Sequence, residues 1–333
     1  MASPMNAAPV VAVHAGTHGV AVYGRQLGAA VAARQPGVQT IDVSDEPALP
    51  AGSPVHVQFT DRLWADSPES AAARFTALAA RRPVTVTLHD MPQPSDGPRN
   101  LPRRRAAYAA VASAARAVAV NSEHELALLG ASDIRPRSVV SIPLPVDIAA
   151  GTGPGRLDDP EPLDNTAGVL GFFYPGKGHD EAAQAAAQAG LTRMTVLGRA
   201  SDGHAADLEA FVRRAEALGV AVEVTGWLDD ADLARRGRTV SVPVVAHRHV
   251  SASGSLATWV GWGRRPVAER NRYVDEMARL RPGTLHVTDP ADLATAVRRA
   301  AGDPASTWHG LHRVPFSLTE VADAYLSWWR ELG

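Results

Sequence analysis

The feature that most constrains this chain is an alternation of short valine-rich apolar runs with alanine-rich helical stretches. In the first half, strands are predicted at residues 9–14, 39–43, 54–59, 83–88, 115–120 and 138–142. Helices are predicted between them at residues 19–34, 68–82, 101–114 and 122–129. Ser122 and Glu125 have the spacing of a capping box at the start of the last of these helices. Strands that each lead into a helix indicate a parallel sheet covered on both faces.

The alternation restarts after residues 149–166, a stretch rich in Gly, Pro and Asp that predicts a connection between domains. Further strands are predicted at 167–172, 194–197, 221–225, 239–245 and 284–287, with helices at 179–189, 205–218, 230–235, 253–262, 272–280 and 289–301. An amphipathic stretch at 318–332 ends the chain. We therefore predict an α/β protein with two doubly wound, Rossmann-like domains, 1–150 and 151–316, followed by a final helix at 317–333.

Charge and composition narrow the classes of function. The chain has 33 Lys and Arg against 35 Asp and Glu, so no nucleic-acid partner is expected. It has no cysteine and no apolar run long enough for an integral membrane segment, and residues 1–8 lack the basic and apolar regions of a signal peptide, so a cytoplasmic protein is expected. The composition is typical of a GC-rich, actinobacterial-like genome, in which Lys177 is the only lysine. A site that needs a compact positive charge would explain its retention, and the alternative is chance survival on a solvated loop.

Doubly wound sheets bind ligands at the carboxyl ends of their strands, and two such domains favour a site in the cleft between them. After the first strand, Gly16 and Gly19 open a helix whose N-terminus favours an anion. Asp42 ends the second strand, where a ribose-binding acid would lie. His14, however, replaces the first glycine of the dinucleotide fingerprint, so a nicotinamide oxidoreductase is only a minor alternative.

A neighbouring His89 and Asp90 follow the fourth strand. They offer a donor and an acceptor to a polar substrate, and the proline-rich run after them predicts an irregular loop. The alternative is a surface loop in which the histidine is incidental.

Two loops of the second half favour a phosphate or diphosphate. Lys177 lies in a glycine turn between a strand and a helix, but the turn is not the loop of nucleotide hydrolases. In the other loop, Ser253, Gly254 and Ser255 begin a helix and form a candidate anion nest, although serine is also a routine helix cap. The histidine pairs are isolated, so no metal site is predicted, and no G-x-S-x-G elbow anchors a hydrolase triad.

The order of these motifs resembles that of GT-B glycosyltransferases, and is most similar to the retaining family 4 group that uses nucleotide-activated sugars. The matching segments are 16–19, 87–90, 121–123, 142–147, 176–178, 224–233 and 263–267. The final helix resembles the family's last helix, which crosses back to the first domain. The resemblance implies a GT-B fold, with an acceptor-side first domain and a donor-side second domain.

The resemblance also implies roles for individual residues. Lys177 would bind the donor diphosphate, and Gly16 and Gly19 would line the cleft near the acceptor and phosphates. His89 would contact the donor sugar, and we expect His89 and Asp90 to be the catalytic residues. The remaining donor-binding residues implied are Tyr174, Ser251, Ser253, Gly254, Ser255 and Leu256. Transfer to a small-molecule, glycan or lipid-linked acceptor would proceed with retention and without a metal or other cofactor.

The chain departs from the family where two glutamates, eight residues apart, usually stand. Ser251 and Trp259 have that spacing in one register, and Val250 and Thr258 have it in the other. The arginine often found before the lysine turn is replaced by aromatic residues, and Arg248, Arg264 and Arg265 are candidates to supply the charge. The alternatives are an atypical transferase, a shifted donor preference, a non-catalytic GT-B-like binding or partner protein, and a sugar-nucleotide epimerase.

Overall fold

The structure, a computed structural model, describes residues 9–43, 49–50, 52–149 and 164–333. Most of the predicted connection at 149–166 therefore lies outside the described residues. The chain divides into two compact units. Unit 1 comprises Met1–Pro145 and Phe316–Gly333, and unit 2 comprises Val146–Pro315.

Each unit contains one six-stranded sheet in which all the strand pairs are parallel. The strands are β1 (Val10–Val13), β2 (Thr40–Asp42), β3 (Val55–Phe59), β4 (Val84–Leu88), β5 (Ala117–Val120), β6 (Val139–Ser141), β7 (Ala167–Leu170), β8 (Arg193–Leu197), β9 (Ala221–Val224), β10 (Val242–Val245), β11 (Val267–Glu269) and β12 (His286–Thr288). Their order is β2-β1-β3-β4-β5-β6 in unit 1 and β12-β11-β10-β7-β8-β9 in unit 2. In both orders the strands run in two directions from the unit's first strand, which is the doubly wound arrangement.

Helices connect nearly all of these strands. They are α1 (Gly19–Arg34), α2 (Asp61–Trp64), α3 (Pro68–Ala79), α4 (Gly97–Ala114), α5 (Glu123–Ala131), α6 (His179–Ala189), α7 (Ala205–Ala217), α8 (Asp230–Thr239), α9 (Gly254–Gly261), α10 (Arg272–Leu280), α11 (Leu293–Gly302) and α12 (Leu318–Glu331). The predicted cap of α5 is confirmed, since the Ser122 hydroxyl accepts from the amide of Glu125. The acid of Glu125 accepts instead from the amide of Asn121.

The buried side chains form a core on each face of each sheet. In unit 1, Phe59, Phe75 and Tyr108 pack on one face, and Leu27 of α1 packs with Tyr325 of α12 on the other. In unit 2, one core contains α6 and α11 and the other contains α9 and α10. Two parallel sheets buried on both faces confirm the predicted α/β class.

Several predicted element boundaries were wrong. The helix α4 begins at Gly97 rather than at residue 101 and continues through Pro102. Its first turn contains Pro98, whose fixed φ suits a helix start, so the proline-rich run is less irregular than predicted. The helix α8 runs to Thr239 rather than ending at residue 235, and Gly237, with no Cβ, lets the ring of Trp262 lie against it.

Two elements were not predicted at all. The strand β11 has three residues and follows two arginines and a proline, so it shows no period that a sequence pattern can reveal. The helix α2 has only four residues directly after β3. Neither element is long enough to carry a hydrophobic repeat.

Candidate functional site

The centre of the unit 2 sheet is its switch point. The strand β7 pairs with β10 on one side and with β8 on the other, so the connections from β7 and β10 leave in opposite directions. Ligands of doubly wound folds bind outside the carboxyl ends of such strands. The loops at this point are residues 171–178 after β7 and residues 246–253 after β10.

Close backbone contacts join these two loops. Gly178 has φ +99°, and a Cβ at this position would lie 2.3 Å from the carbonyl oxygen of Ala246. The amide of Arg248 donates to the carbonyl of Gly176 at 3.1 Å. Glycine at position 178 is therefore required for the approach, and the two loops are held together by main-chain atoms.

Lys177 lies between these glycines with its ammonium group turned inward. The side chain is 9% exposed, and Nζ donates to the hydroxyl of Ser255 at 3.0 Å. Nζ also lies 5.8 Å from the ring centroid of Tyr174, within range of a cation–π contact. A Cβ on Gly171 would be 3.5 Å from Nζ, so that glycine leaves space beside the ammonium. Burial lowers the pKa of Lys177 to about 8.

The N-terminus of α9 faces this ammonium. The hydroxyl of Ser253 accepts from the amide of Leu256 at 3.2 Å and lies 3.1 Å from the hydroxyl of Ser255. Gly254 is exposed, and a Cβ at this position would meet no atom within 4 Å. Because the cap uses the Leu256 amide, the first amides left for a ligand are those of Gly254 and Ser255. Ser251, in the same loop, is buried.

Two buried histidines lie near Lys177. His179 is the first residue of α6, and burial together with the Lys177 charge lowers its pKa to about 3. His247 follows β10, and burial, Lys177 and His179 hold its pKa well below the usual value. Both nitrogens of His179 and Nδ1 of His247 are buried without a hydrogen-bond partner among the described residues.

The arginines considered as replacements for the family's charge differ in availability. Arg264 is fully buried, and its guanidinium donates to the carbonyls of Gly237, Arg238, Ser241 and Thr307 and to the Thr307 hydroxyl. It cannot contact a ligand, so that candidate was wrong. Arg248 is exposed and forms an ion pair with Glu181. Nearby, Glu269 ends β11, where burial and Glu181 raise its pKa.

In unit 1, the loop after β1 is open to solvent. Gly16 has φ +91°, and a Cβ added at Gly16 or at Gly19 would meet no atom within 4 Å. The guanidinium of Arg25 donates to the carbonyls of His14 and Gly16, both at 2.8 Å, and so fixes the loop. The loop can admit a ligand close to its backbone.

His89 follows β4 and is buried rather than presented on a surface loop. Its Nε2 lies 2.7 Å from Oε1 of Gln58, and its Nδ1 lies 3.3 Å from Nδ2 of Asn121. Because Asn121 Nδ2 also donates to Glu125 Oε2 at 3.0 Å, Nδ1 of His89 is the acceptor and Nε2 carries the proton. Burial lowers the pKa of His89 to about 4, so the ring is neutral at physiological pH.

The hydrogen bonds continue from Gln58 into the core. Gln58 Nε2 lies 3.0 Å from Nε2 of His56, and His56 Nδ1 lies 3.0 Å from the hydroxyl of Thr85. The Thr87 hydroxyl lies 3.2 Å from the same His56 Nε2 and 2.7 Å from the hydroxyl of Tyr325 in α12. These side chains, from His89 to Tyr325, are called the buried row below.

Asp90, the second residue of the His89 turn, is exposed and has φ +52°. Its carbonyl accepts from the guanidinium of Arg104 at 2.6 Å, and Arg104 is paired with the buried Asp61. The Arg104 side chain therefore holds the turn through the Asp90 carbonyl, while the Asp90 side chain is exposed to solvent.

Sequence reasoning missed Gln58, His56, Tyr325 and His247. Gln58 and His56 lie on β3, and Tyr325 lies on α12. The hydrophobic pattern of a strand or helix predicts which positions are buried, but it does not predict which buried positions form hydrogen bonds to a functional residue. Within the described part of the chain, no group of three or more His, Asp or Glu side chains could hold a metal ion. No described helix is long and apolar enough to cross a membrane.

Solved structures of sugar-transferring enzymes are similar to most of the chain. Sucrose-phosphate synthase from Thermosynechococcus elongatus is 18% identical with a TM-score of 0.67, over 98% of this chain and 94% of that one. Anabaena HepE, in complex with UDP-glucose, is 17% identical with a TM-score of 0.64, over 84% of this chain and 78% of HepE. A UDP-forming α,α-trehalose-phosphate synthase from Burkholderia xenovorans, in complex with glucose-6-phosphate, is 16% identical with a TM-score of 0.58, over 86% and 74%.

No protein-family model and no curated protein sequence matches the chain. At these low identities the likeness to solved structures establishes the fold. The chain has the GT-B fold of glycosyltransferases, as its motif order predicted.

Proposed function

We propose that this protein is a glycosyltransferase that moves a sugar from a nucleoside diphosphate-sugar to an acceptor hydroxyl. The observation that carries the proposal is the buried ammonium of Lys177, which contacts the Ser255 hydroxyl and has no acidic partner among the described residues. A buried charge without a counter-charge is costly, and a diphosphate supplies that counter-charge. The GT-B fold supports a nucleoside diphosphate-sugar as the source of that diphosphate, because solved structures with this fold include sugar-nucleotide glycosyltransferases.

Unit 2 is the donor-binding unit in this proposal. Lys177 and the amides of Gly254 and Ser255 bind the diphosphate, because a positive charge and free N–H groups both favour an anion. Ser253 keeps the start of α9 in place through its cap. Tyr174 and Ser251 line the two loops and complete the donor-binding set.

Unit 1 is the acceptor unit. The Gly16–Gly19 loop, which is exposed, approaches the substrates through its backbone. His89 and Asp90 serve the reacting sugar: the buried row fixes the neutral form of the His89 ring, and Asp90 offers an exposed carboxylate. Residues 92–101, which lead from the following turn into α4, contribute to acceptor recognition.

The reaction breaks the bond between the anomeric carbon and the diphosphate oxygen and forms a bond to the acceptor oxygen. Lys177 and the α9 amides stabilise the charge that develops on the leaving diphosphate, and no metal ion takes part in the proposed step. Similarity to the retaining group implies attack from the face that the diphosphate leaves. Analysis of the product anomer by NMR tests retention directly.

The first experiment is a thermal-shift screen with UDP, GDP, ADP and dTDP, followed by calorimetry on each ligand that stabilises the protein. We expect one diphosphate to bind and Lys177→Met to lose that binding. Arg213→Met, which removes an exposed positive charge from α7 of the same unit, is the control. No binding by any of the four at millimolar concentration would contradict the proposal.

A non-catalytic binding protein is the second candidate, and one observation favours it. Where the family has its glutamate pair, Ser251 and Trp259 are both buried, and the other register contains Val250 and Thr258. Neither register supplies a carboxylate. Diphosphate binding without hydrolysis or transfer of any labelled donor sugar would select this candidate.

A further inference from the structure

Three basic side chains are buried together at the switch point of unit 2. Lys177 and His179 flank Gly178, and His247 follows Ala246. Gly178 and Ala246 are in backbone contact, and both histidines lie close enough to Lys177 for its charge to lower their pKa values. Lys177 donates to a single hydroxyl there, and His247 Nδ1 is buried and unpartnered within the described part of the chain.

The two histidines differ in their surroundings. The ring of His179 lies 4.7 Å from the ring centroid of Phe173 and 5.6 Å from that of Phe211, so it packs as part of an aromatic core. His247 instead lies at the carboxyl end of β10, in the loop facing Lys177. His247 is therefore the one placed to meet a ligand that Lys177 binds.

We propose that His247 is a second ligand of the diphosphate at Lys177 and takes up a proton when that diphosphate binds. This inference rests on the proposed function, because it requires an anion at Lys177. His247 hydrogen-bonds a phosphate oxygen in its protonated form, in which both ring nitrogens donate.

The charges around His247 explain why the proton arrives with the ligand. Lys177, from the loop after β7, and His179, from α6, both disfavour the imidazolium, and burial acts in the same direction. The next residue, Arg248, is neutralised by Glu181 of α6. In the absence of an anion, His247 is therefore neutral. A diphosphate reverses the local charge and favours the protonated ring.

Proton uptake also suits the chemistry of the transfer. When the bond to the anomeric carbon breaks, its electron pair stays on the diphosphate, which gains a negative charge. The acceptor hydroxyl releases its proton to water as its oxygen forms the new bond. A protonated His247 beside the diphosphate balances the charge that the step creates.

The test is calorimetry with inorganic pyrophosphate at pH 7 in buffers of different ionisation enthalpy. The slope of the observed binding enthalpy against the buffer's ionisation enthalpy gives the number of protons taken up on binding. Pyrophosphate also changes its own protonation on binding, and this contribution is the same for both proteins. Subtracting the slope for His247→Asn from that of the wild type therefore leaves the protons taken up by His247. We expect a difference of about one proton and about tenfold weaker binding by the variant. His312→Asn, at an exposed histidine of the same unit, should match the wild type.

His247→Gln is the second variant, and the unfolding temperature of each variant is measured alongside. Binding by either folded variant with the wild-type proton count and affinity would overturn the inference while leaving the proposed function intact. No binding of pyrophosphate or any nucleoside diphosphate by the wild type would overturn both.

Discussion

The two units differ in how they satisfy their buried polar groups. In the buried row of unit 1, both nitrogens of His89 and of His56 lie within hydrogen-bond distance of a side-chain partner. In unit 2, Lys177 has one hydroxyl partner, and His179 has no partner for either ring nitrogen among the residues described. The Lys177 region lies beyond the carboxyl ends of β7 and β10, whereas the buried row begins at His89, after β4, and continues into the sheet through Gln58 and His56 of β3.

Physical chemistry assigns the two regions different roles. A buried polar group with its hydrogen bonds made stabilises and fixes the fold, whereas one left unmade costs about 1–3 kcal/mol. The buried row of unit 1 is therefore a scaffold that holds His89 in one neutral form. The polar groups of the Lys177 cluster that lack partners cost stability in the ligand-free protein, as the proposed anion site requires.

The largest effect is expected from alanine at the glycine that joins the loops of unit 2. Gly178→Ala places a Cβ 2.3 Å from the Ala246 carbonyl oxygen at φ +99°. It should destabilise the protein by about 3 kcal/mol or more, because overpacking adds to backbone strain. Gly16→Ala in unit 1, at φ +91° in open space, should cost only the strain, roughly 1–2 kcal/mol. Denaturant unfolding followed by circular dichroism measures both.

Equal losses from the two substitutions would show that the Gly178–Ala246 contact relaxes easily. The backbone contact between the two loops would then not explain why Lys177 and His247 lie near each other. Diphosphate binding by Gly178→Ala, measured below its unfolding temperature, should also be weaker than binding by Gly16→Ala.

The next effect separates binding from stability at Lys177. Lys177→Met should weaken diphosphate binding by about 1.5–3 kcal/mol, the range for a hydrogen bond to a charged group. The same substitution should stabilise the ligand-free protein by roughly 1–3 kcal/mol, since it removes an ammonium that burial disfavours. Calorimetry and thermal unfolding of one variant give both numbers.

A loss of stability in Lys177→Met would mean that the ammonium is compensated in the ligand-free protein. The contrast between the two units would then be wrong. The Arg213→Met control should change neither quantity by more than about 0.5 kcal/mol, as is usual for an exposed position.

The fold that underlies this contrast was predicted from the sequence. The alternation of strands and helices predicted both sheets, and parallel order then brings the loops after β7 and β10 to one edge. The assignment of Lys177 and Ser255 to one donor site was implied by the resemblance to GT-B enzymes, and the two side chains are in hydrogen-bond contact. The predicted cap at Ser122 was confirmed because it depends only on local spacing.

The rest depends on contacts between distant parts of the chain. The Thr87 and Tyr325 hydroxyls are 238 positions apart in sequence and 2.7 Å apart in space, and no local pattern encodes that pairing. His247 was visible only as one of several scattered histidines, since its meaning depends on Lys177 across the sheet. The sequence predicted His89 and Asp90 as a neighbouring donor and acceptor, but it did not show that the His89 ring is buried while Asp90 is exposed.

The pH dependence of binding sharpens the contrast further. Burial lowers the pKa of Lys177 from 10.5 to about 8, so the free protein loses this positive charge as the pH rises through 8. Diphosphate affinity should therefore fall by about tenfold per pH unit above that value. In Lys177→Arg, whose charge persists, this alkaline loss should disappear. A flat profile in the wild type would place Lys177 outside the binding site.

In unit 1, His89→Ala should act on turnover rather than on donor affinity. Loss of the ring removes the end of the buried row, and we expect kcat to fall by about tenfold, the value of one to two hydrogen bonds. The Kd for the nucleoside diphosphate should stay within about twofold, because that ligand is assigned to unit 2. The reverse pattern would move His89 out of the sugar subsite.

The smallest effect tests whether the buried row is a scaffold. Tyr325→Phe removes the hydroxyl that lies 2.7 Å from Thr87 and 3.4 Å from Tyr23. Thr87 can still bond to His56, so the free energy of unfolding should fall by only about 1 kcal/mol, with diphosphate affinity unchanged. Thr87→Val supplies the matched single variant, and the double variant should lose less than the sum of the two, since they share one hydrogen bond. Additive losses, or a change in diphosphate affinity, would show that the row does not act as a scaffold confined to unit 1.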